Sequence, residues 1–214
     1  MKQHIYTADE ALFLAPDLLG GKAANLAWMT REAIPVPRWW VVTTSAFTQL
    51  LADNGLRDFI ESALVNFQTS EDLSALEPIA ADIRQQVLAA KIPNSLKVEL
   101  ADYFGQRQNQ YFAVRSSVLG EDAQGASFAG QMDSYLFQRG LTAIEESLLQ
   151  VCASAFNTRA LHYRLSKGIA LSDIRAAVII QEMVEGEVSG VMFTAHPLNG
   201  SRQHALISAA WGVG

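Results

Sequence analysis

The sequence predicts an α+β domain with a mostly antiparallel core. Short apolar runs rich in β-formers recur at 39–43, 111–114, 134–137, 176–180, 188–194 and 205–210. Between them lie stretches with apolar residues at helical spacing, such as Phe59, Ile60, Ala63, Leu64 and Phe67. The runs at 111–114 and 134–137 flank a glycine-containing loop, which is the pattern of a long hairpin.

Taken in order, 5–19 reads as a short strand or turn followed by a helix onset. A helix over 22–31 is opened by Gly20 and Gly21, and Pro35 and Pro37 end it. A strand at 39–43 leads to a helix capped by Ser45, and 56–67 forms the next helix. After a polar linker at 69–74, Leu76, Ile79, Ile83 and Val87 mark a helix that starts near Pro78. Pro93 separates it from another, marked by Leu96, Leu100, Tyr103 and Phe104 and ending near Gly105. The region from about 55 to 109 thus reads as a helical insert. Thr142 and Glu145 have capping-box spacing at the head of a long helix with Ile144, Leu148, Val151, Cys152 and Ala155 on its buried stripe, ended by Gly168. The tryptophans, Phe13 and Phe47 are read as core. The whole chain, 1–214, is taken as one portion of a larger domain.

Composition narrows the function classes. Half of the residues are hydrophobic, so the chain is globular. The 16 Lys+Arg are spread thinly and the net charge is −6, which argues against a nucleic-acid partner. No apolar run approaches the ~18 residues of a membrane span, and the N-terminus lacks a signal-peptide pattern. A single cysteine, Cys152, suits a reducing compartment, so the expected location is cytoplasmic. His4, His162, His196 and His204 lack metal-ligand spacing, and no metal site is expected.

The chemistry concentrates in 111–137. There Arg115, Ser116 and Ser117 follow the apolar run, and Gly120, Gly125 and Gly130 punctuate the loop. A forked guanidinium, hydroxyl donors and open backbone N–H groups can hold phosphate oxygens. The same residues also fit an ordinary hairpin in which Arg115 pairs with Glu121 or Asp122. Those two carboxylates are taken as loop-structuring, and no residue is assigned a catalytic role. Lys22, after a glycine pair and near a helix start, is placed either to meet a phosphate or to be a solvated surface lysine. It is not in a P-loop, since Pro16 and Ala23 stand where Gly and Ser/Thr would be needed. Gln181 ends an apolar strand, where it either offers an edge to a ligand or turns to solvent.

Four ordered blocks carry a resemblance. Val114-Arg115-Ser116-Ser117, Glu121-Asp122 and Ala126 to Gln131 follow one motif, and Gly20-Gly21-Lys22 with Asn25-Leu26 another. Gln181 to Val184 with Ser189 to Thr194, and Trp211 to Gly214, follow two more. Together they resemble the N-terminal nucleotide-binding domain of the phosphoenolpyruvate synthase, pyruvate phosphate dikinase and rifampicin phosphotransferase family. The resemblance implies an ATP-grasp-like fold, truncated here before its second lobe is complete. It implies that Lys22 and Arg115 contact the phosphates of ATP, with Gly130 and Ser134 on the same contact surface. It also implies that Gln181 and the backbone near Met183 hold the adenine.

The implied reaction passes phosphate from ATP through a phosphohistidine to pyruvate, or to an antibiotic in the rifampicin phosphotransferases. The Mg²⁺ ligands, the histidine and the acceptor site are expected in parts beyond residue 214, so the chain alone is expected to be inactive. A stand-alone, non-catalytic nucleotide-binding module is the alternative. The sequence departs from the family pattern at Val118-Leu119-Gly120, at Gly125 and at Trp39-Trp40.

Overall fold

A five-stranded sheet, every pairing antiparallel, organises the larger of two compact units, Met1–Glu182; Met183–Gly214 forms the smaller. The computed structural model describes residues 3–67, 76–118, 122–123, 126–127, 132–171 and 174–213. The expected linker at 69–74 and the loop around Gly130 lie outside them.

The strands are β1 (Ile5–Thr7), β2 (Trp39–Val42), β3 (Tyr111–Val118), β6 (Ser134–Arg139) and β7 (Ala176–Glu182), in the order β1-β2-β7-β3-β6. Two short strands, β4 (Asp122–Ala123) and β5 (Ala126–Ser127), pair with each other. Because β7 is central, its residues from Ala176 to Gln181 are all buried. This explains the continuous apolar run in the sequence.

One face of the sheet carries most helices. These are α3 (Thr44–Asp53), α4 (Leu56–Leu64), α5 (Leu76–Leu88), α6 (Asn94–Phe104), α7 (Leu141–Ser154) and α8 (Thr158–Ser166). Their apolar stripes join Trp40, Val42, Phe112, Val114, Val178 and Ile180 in one large core. At its centre, Phe104 meets Trp40 and Phe112 edge-on, with ring centroids 5.1 and 5.3 Å away. The other face is covered by α1 (Ala8–Ala11) and α2 (Pro16–Arg31), whose Leu19, Ala23 and Ala27 pack with Trp39, Val41, Ala177 and Ile179. The alternation along β2 therefore sends the tryptophan pair to opposite cores.

Edge strand β1 is closed off by a carboxylate. Glu99 of α6 accepts hydrogen bonds from the backbone N–H groups of His4 and Ile5, at 2.9 and 2.8 Å. The buried His4 ring is held between Glu99 (Nδ1, 2.9 Å) and Gln49 (Nε2, 2.9 Å). The otherwise open edge is thus tied to two helices.

Several local expectations are corrected. The capping box is at Thr7 and Glu10, where both reciprocal bonds form. At Thr142 there is none, because Gly140, at φ 81°, turns the chain sharply out of β6 and α7 starts at Leu141. Thr43, not Ser45, is the N-cap of α3, and the two hydroxyls meet at 2.8 Å. The long helix after 141 is two helices. Asn157 accepts the N–H of Ala160 at 2.7 Å and starts α8, while Phe156 is buried against Phe47. Apolar spacing continues across that break, so it was hidden in the sequence. Phe13 is 89% exposed, and Trp28 and Trp211 are also exposed, so these aromatics are not core.

Cys152 sits in the main core, 2% exposed, and burial pushes its thiol up to about 12. Since the thiolate is the reactive form, alkylation by iodoacetamide is expected only as the protein unfolds. Rates measured across a urea titration should track the unfolded fraction; rapid labelling of the native protein would contradict this packing.

In the smaller unit, β8 (Val188–Phe193) and β9 (Leu206–Trp211) form a hairpin. It pairs Val188 with Trp211 and Gly190 with Ala209, so the strands that lead through two of the sequence blocks are neighbours in one ladder. A Cβ at Gly190 would lie 2.4 Å from the Ser208 carbonyl oxygen, so glycine is required there.

Candidate functional site

In an antiparallel ladder, directly opposed residues share a face. Arg115 lies opposite both Ile179 of β7 and Ser134 of β6. Ile179 belongs to the core under α2, so Arg115 and Ser134 are on the α2 side of the sheet. One row along, Gln181 stands between Trp39 and Ala113. In the other direction, Ser117 pairs with Ala177.

Arg115 is not at a strand end. β3 continues through Ser116, Ser117 and Val118, all buried, because β7 pairs with it as far as Ala176. The two serines point to opposite faces, and neither is the open hydroxyl that the sequence suggested. Arg115 itself is half-buried and Ser134 exposed.

The pairing of Arg115 with Ser134 depends on a bulge. Between the pairs Phe112–Gln138 and Val114–Tyr135, β6 carries one residue more than β3, and Phe137 takes φ 58°. The start of β6 is further held by the Asp133 N–H, which donates to Ser154 Oγ at 3.2 Å, and by Arg159, 3.5 Å from the Asp133 carboxylate. Burial, and after it the Asp133 charge, raises the Tyr135 phenol above its usual range.

Lys22 arrives on the same face by way of a kink. Gly20, at φ 71° and ψ 174°, is non-helical inside α2 and separates a first turn from the segment 21–31. Only glycine adopts that conformation readily. A Cβ there would also lie 2.4 Å from the Ser117 carbonyl oxygen. Ser117 Oγ accepts the N–H of Ala23 at 3.0 Å, so the residue after Lys22 is bonded to the strand that carries Arg115. Lys22 is half-buried.

Gln181 is 8% exposed, and its amide nitrogen lies 3.5 Å from the Pro37 carbonyl, a long contact. Next to it, Glu182 ends β7. Its N–H donates to the Arg38 carbonyl at 2.8 Å, and its carboxylate lies 3.4 Å from Arg107. Arg107 in turn lies over the Trp40 ring at 5.0 Å, which gives the bulky Trp40 a partner. Met183 opens the smaller unit, and Gly130 lies outside the described residues. Sequence reasoning placed Ser117 in the motif but missed its bond to α2; the only signal was a cap-less glycine pair before Lys22.

The fold and these positions define an α+β domain that gathers a lysine-bearing helix start, an arginine, a serine and a buried glutamine on one face of an antiparallel sheet. The chain belongs to the family described as pyruvate phosphate dikinase, AMP/ATP-binding domain, whose model matches residues 16–214. It is similar to a probable phosphoenolpyruvate synthase of Methanothermobacter thermautotrophicus, 34% identical over 203 residues, covering 92% of this chain and 29% of that protein. A probable phosphoenolpyruvate synthase of Staphylothermus marinus is 35% identical over 221 residues, covering 100% of this chain and 26% of that protein. A rifampicin phosphotransferase of Streptomyces sviceus is 36% identical over 199 residues, covering 92% and 23%. The chain thus spans about a quarter of the length of these curated relatives. Among the described residues, no helix is long and apolar enough to cross a membrane.

Proposed function

We propose that this chain is the ATP-binding part of a phosphoenolpyruvate synthase-like phosphotransferase with an ATP-grasp-like fold. The observation that carries the proposal is the shared sheet face of Arg115, Ser134 and Gln181, against which the Lys22 segment is bonded. A guanidinium can hold two phosphate oxygens and an ammonium one, and both neutralise charge that builds up as a phosphoryl group leaves. Ser134 adds a hydroxyl beside Arg115. Gln181, one row further along the face, is the contact proposed for the adenine edge.

In the whole protein, ATP would phosphorylate a histidine that then phosphorylates pyruvate. No residue of this chain is assigned to that histidine or to the acceptor, and the chain alone is proposed to bind ATP without turnover. An antibiotic acceptor is the second reading, favoured by the equal similarity to rifampicin phosphotransferases. Magnesium is expected to accompany ATP. Among the described residues, however, no cluster of three His, Cys, Asp or Glu could hold a metal ion. The described residues thus do not by themselves fit a protein-held metal, and no step is assigned to one.

The proposal is tested by titrating the 214-residue chain with ATP at low and high salt. The phosphates would be held mainly by two cations in a solvated setting, where each contact is worth about 1 kcal/mol and salt screens it within roughly 8–10 Å. Binding is therefore expected on the order of millimolar, about 4 kcal/mol in total, and weaker in salt. An affinity indifferent to salt, or no binding at any concentration, would overturn the phosphate placement.

A further inference from the structure

We propose that Ser117 is a positioning residue for the lysine–arginine pair. It caps the segment that carries Lys22 from a different element, β3, and so holds that segment in register with Arg115. The inference rests on the nucleotide reading above.

A helix start leaves its first N–H groups without intrahelical partners, and a Ser, Thr, Asp or Asn at the N-cap normally accepts one of them. The segment 21–31 has Gly20 in that position, with no side chain to offer. The N–H of Ala23, third residue into the segment, is instead met by Ser117 Oγ at 3.0 Å, from 94 residues away in sequence. The glycine is what lets the hydroxyl in. A Cβ at Gly20 would stand 2.7 Å from Ser117 Oγ and closer still to its carbonyl oxygen.

The origin of the cap matters. A side chain on Gly20 itself would have tied the helix start only to its own chain segment. A cap from β3 ties it to the strand that bears Arg115 two residues earlier on the same face. Lys22 immediately precedes the bonded Ala23, so the hydrogen bond sets the place of one cation relative to the other. Ser117 is 0% exposed and already engaged, which leaves it no surface for a ligand. Ser116 cannot substitute, because it faces the opposite core.

The test is a double-mutant cycle on ATP affinity, read by NMR titration of the 214-residue chain with Ser117→Ala, Lys22→Ala and the double variant. Removing the acceptor strands the Ala23 N–H and loosens the first turn, so Ser117→Ala is expected to weaken ATP about threefold, and by no more than Lys22→Ala itself. In the Lys22→Ala background the same change should cost little, because a positioning residue acts through the group it positions. Ser117→Thr, which keeps an acceptor oxygen, should restore most of the affinity. Equal affinity of wild type and Ser117→Ala would overturn the inference. So would an undiminished loss in both backgrounds, which is what a merely structural role gives. Should Ser117→Ala not fold, the cycle is run with Ser117→Cys, a poor acceptor of similar shape, with the same two outcomes deciding. If wild type itself does not bind ATP, the nucleotide reading fails, and the inference with it.

Discussion

Arg115→Ala is expected to abolish measurable ATP binding by the 214-residue chain, whereas Lys22→Ala leaves a weakened but saturable titration. The difference follows from the two side chains. The guanidinium presents a rigid fork that can engage two phosphate oxygens, and it issues from a strand paired on both sides. At about 1 kcal/mol for each contact in this solvated setting, the two together supply about 2 kcal/mol. Taken from a total of about 4 kcal/mol, such a loss moves the dissociation constant from about millimolar to tens of millimolar or beyond. The ammonium is a single point of charge on a flexible stem, so its removal should cost about 1 kcal/mol, roughly a fivefold weakening. Calorimetric or NMR titration of the three proteins decides the matter. Arg115→Ala with wild-type affinity would mean that the phosphates are not held on this face.

Phe104→Ala is expected to remove a large share of the stability of the fold. Phe104 is 0% exposed, at the end of α6, and its ring meets both Trp40 of β2 and Phe112 of β3 edge-on. Truncation removes the buried ring, leaves a cavity that the sheet cannot collapse into, and ends two aromatic contacts. The expected loss is about 3–5 kcal/mol, against a total of about 5–15 for a typical domain. For a unit of this size that lowers Tm by roughly 10 °C. Phe13→Ala is the matched control: Phe13 is 89% exposed, and its removal should change stability by less than about 0.5 kcal/mol. Urea unfolding of both variants measures the difference. A loss below about 1 kcal/mol for Phe104→Ala would show that the aromatic cluster is not where the fold is held.

Much of the architecture was legible because it repeats locally. The central strand β7 announced itself as an unbroken apolar run, and the stripes of α4, α5 and α6 as residues recurring every three or four positions. Element ends were less legible, because they depend on a neighbour. Arg115 and the two serines looked like the end of a strand, since polar residues interrupt the apolar run. β7 nevertheless pairs with them and carries β3 on to Val118. The break before Asn157 was hidden because Phe156 continues the apolar pattern while stacking on Phe47 of α3.

By itself, the sequence determined the α+β class, the residue types able to meet a nucleotide and, through its four ordered blocks, the family. These are properties of composition, local periodicity and motif, which do not depend on where distant segments end up. Only the tertiary structure decided which of those residues stand together. The bulge at Phe137 brings Ser134 opposite Arg115, and the hydroxyl of Ser117 fastens the Lys22 segment to the same strand. Both depend on strand register and on contacts between residues far apart in sequence. A one-residue slip in register would send Arg115 into the opposite core, and nothing in the local pattern around it forbids that.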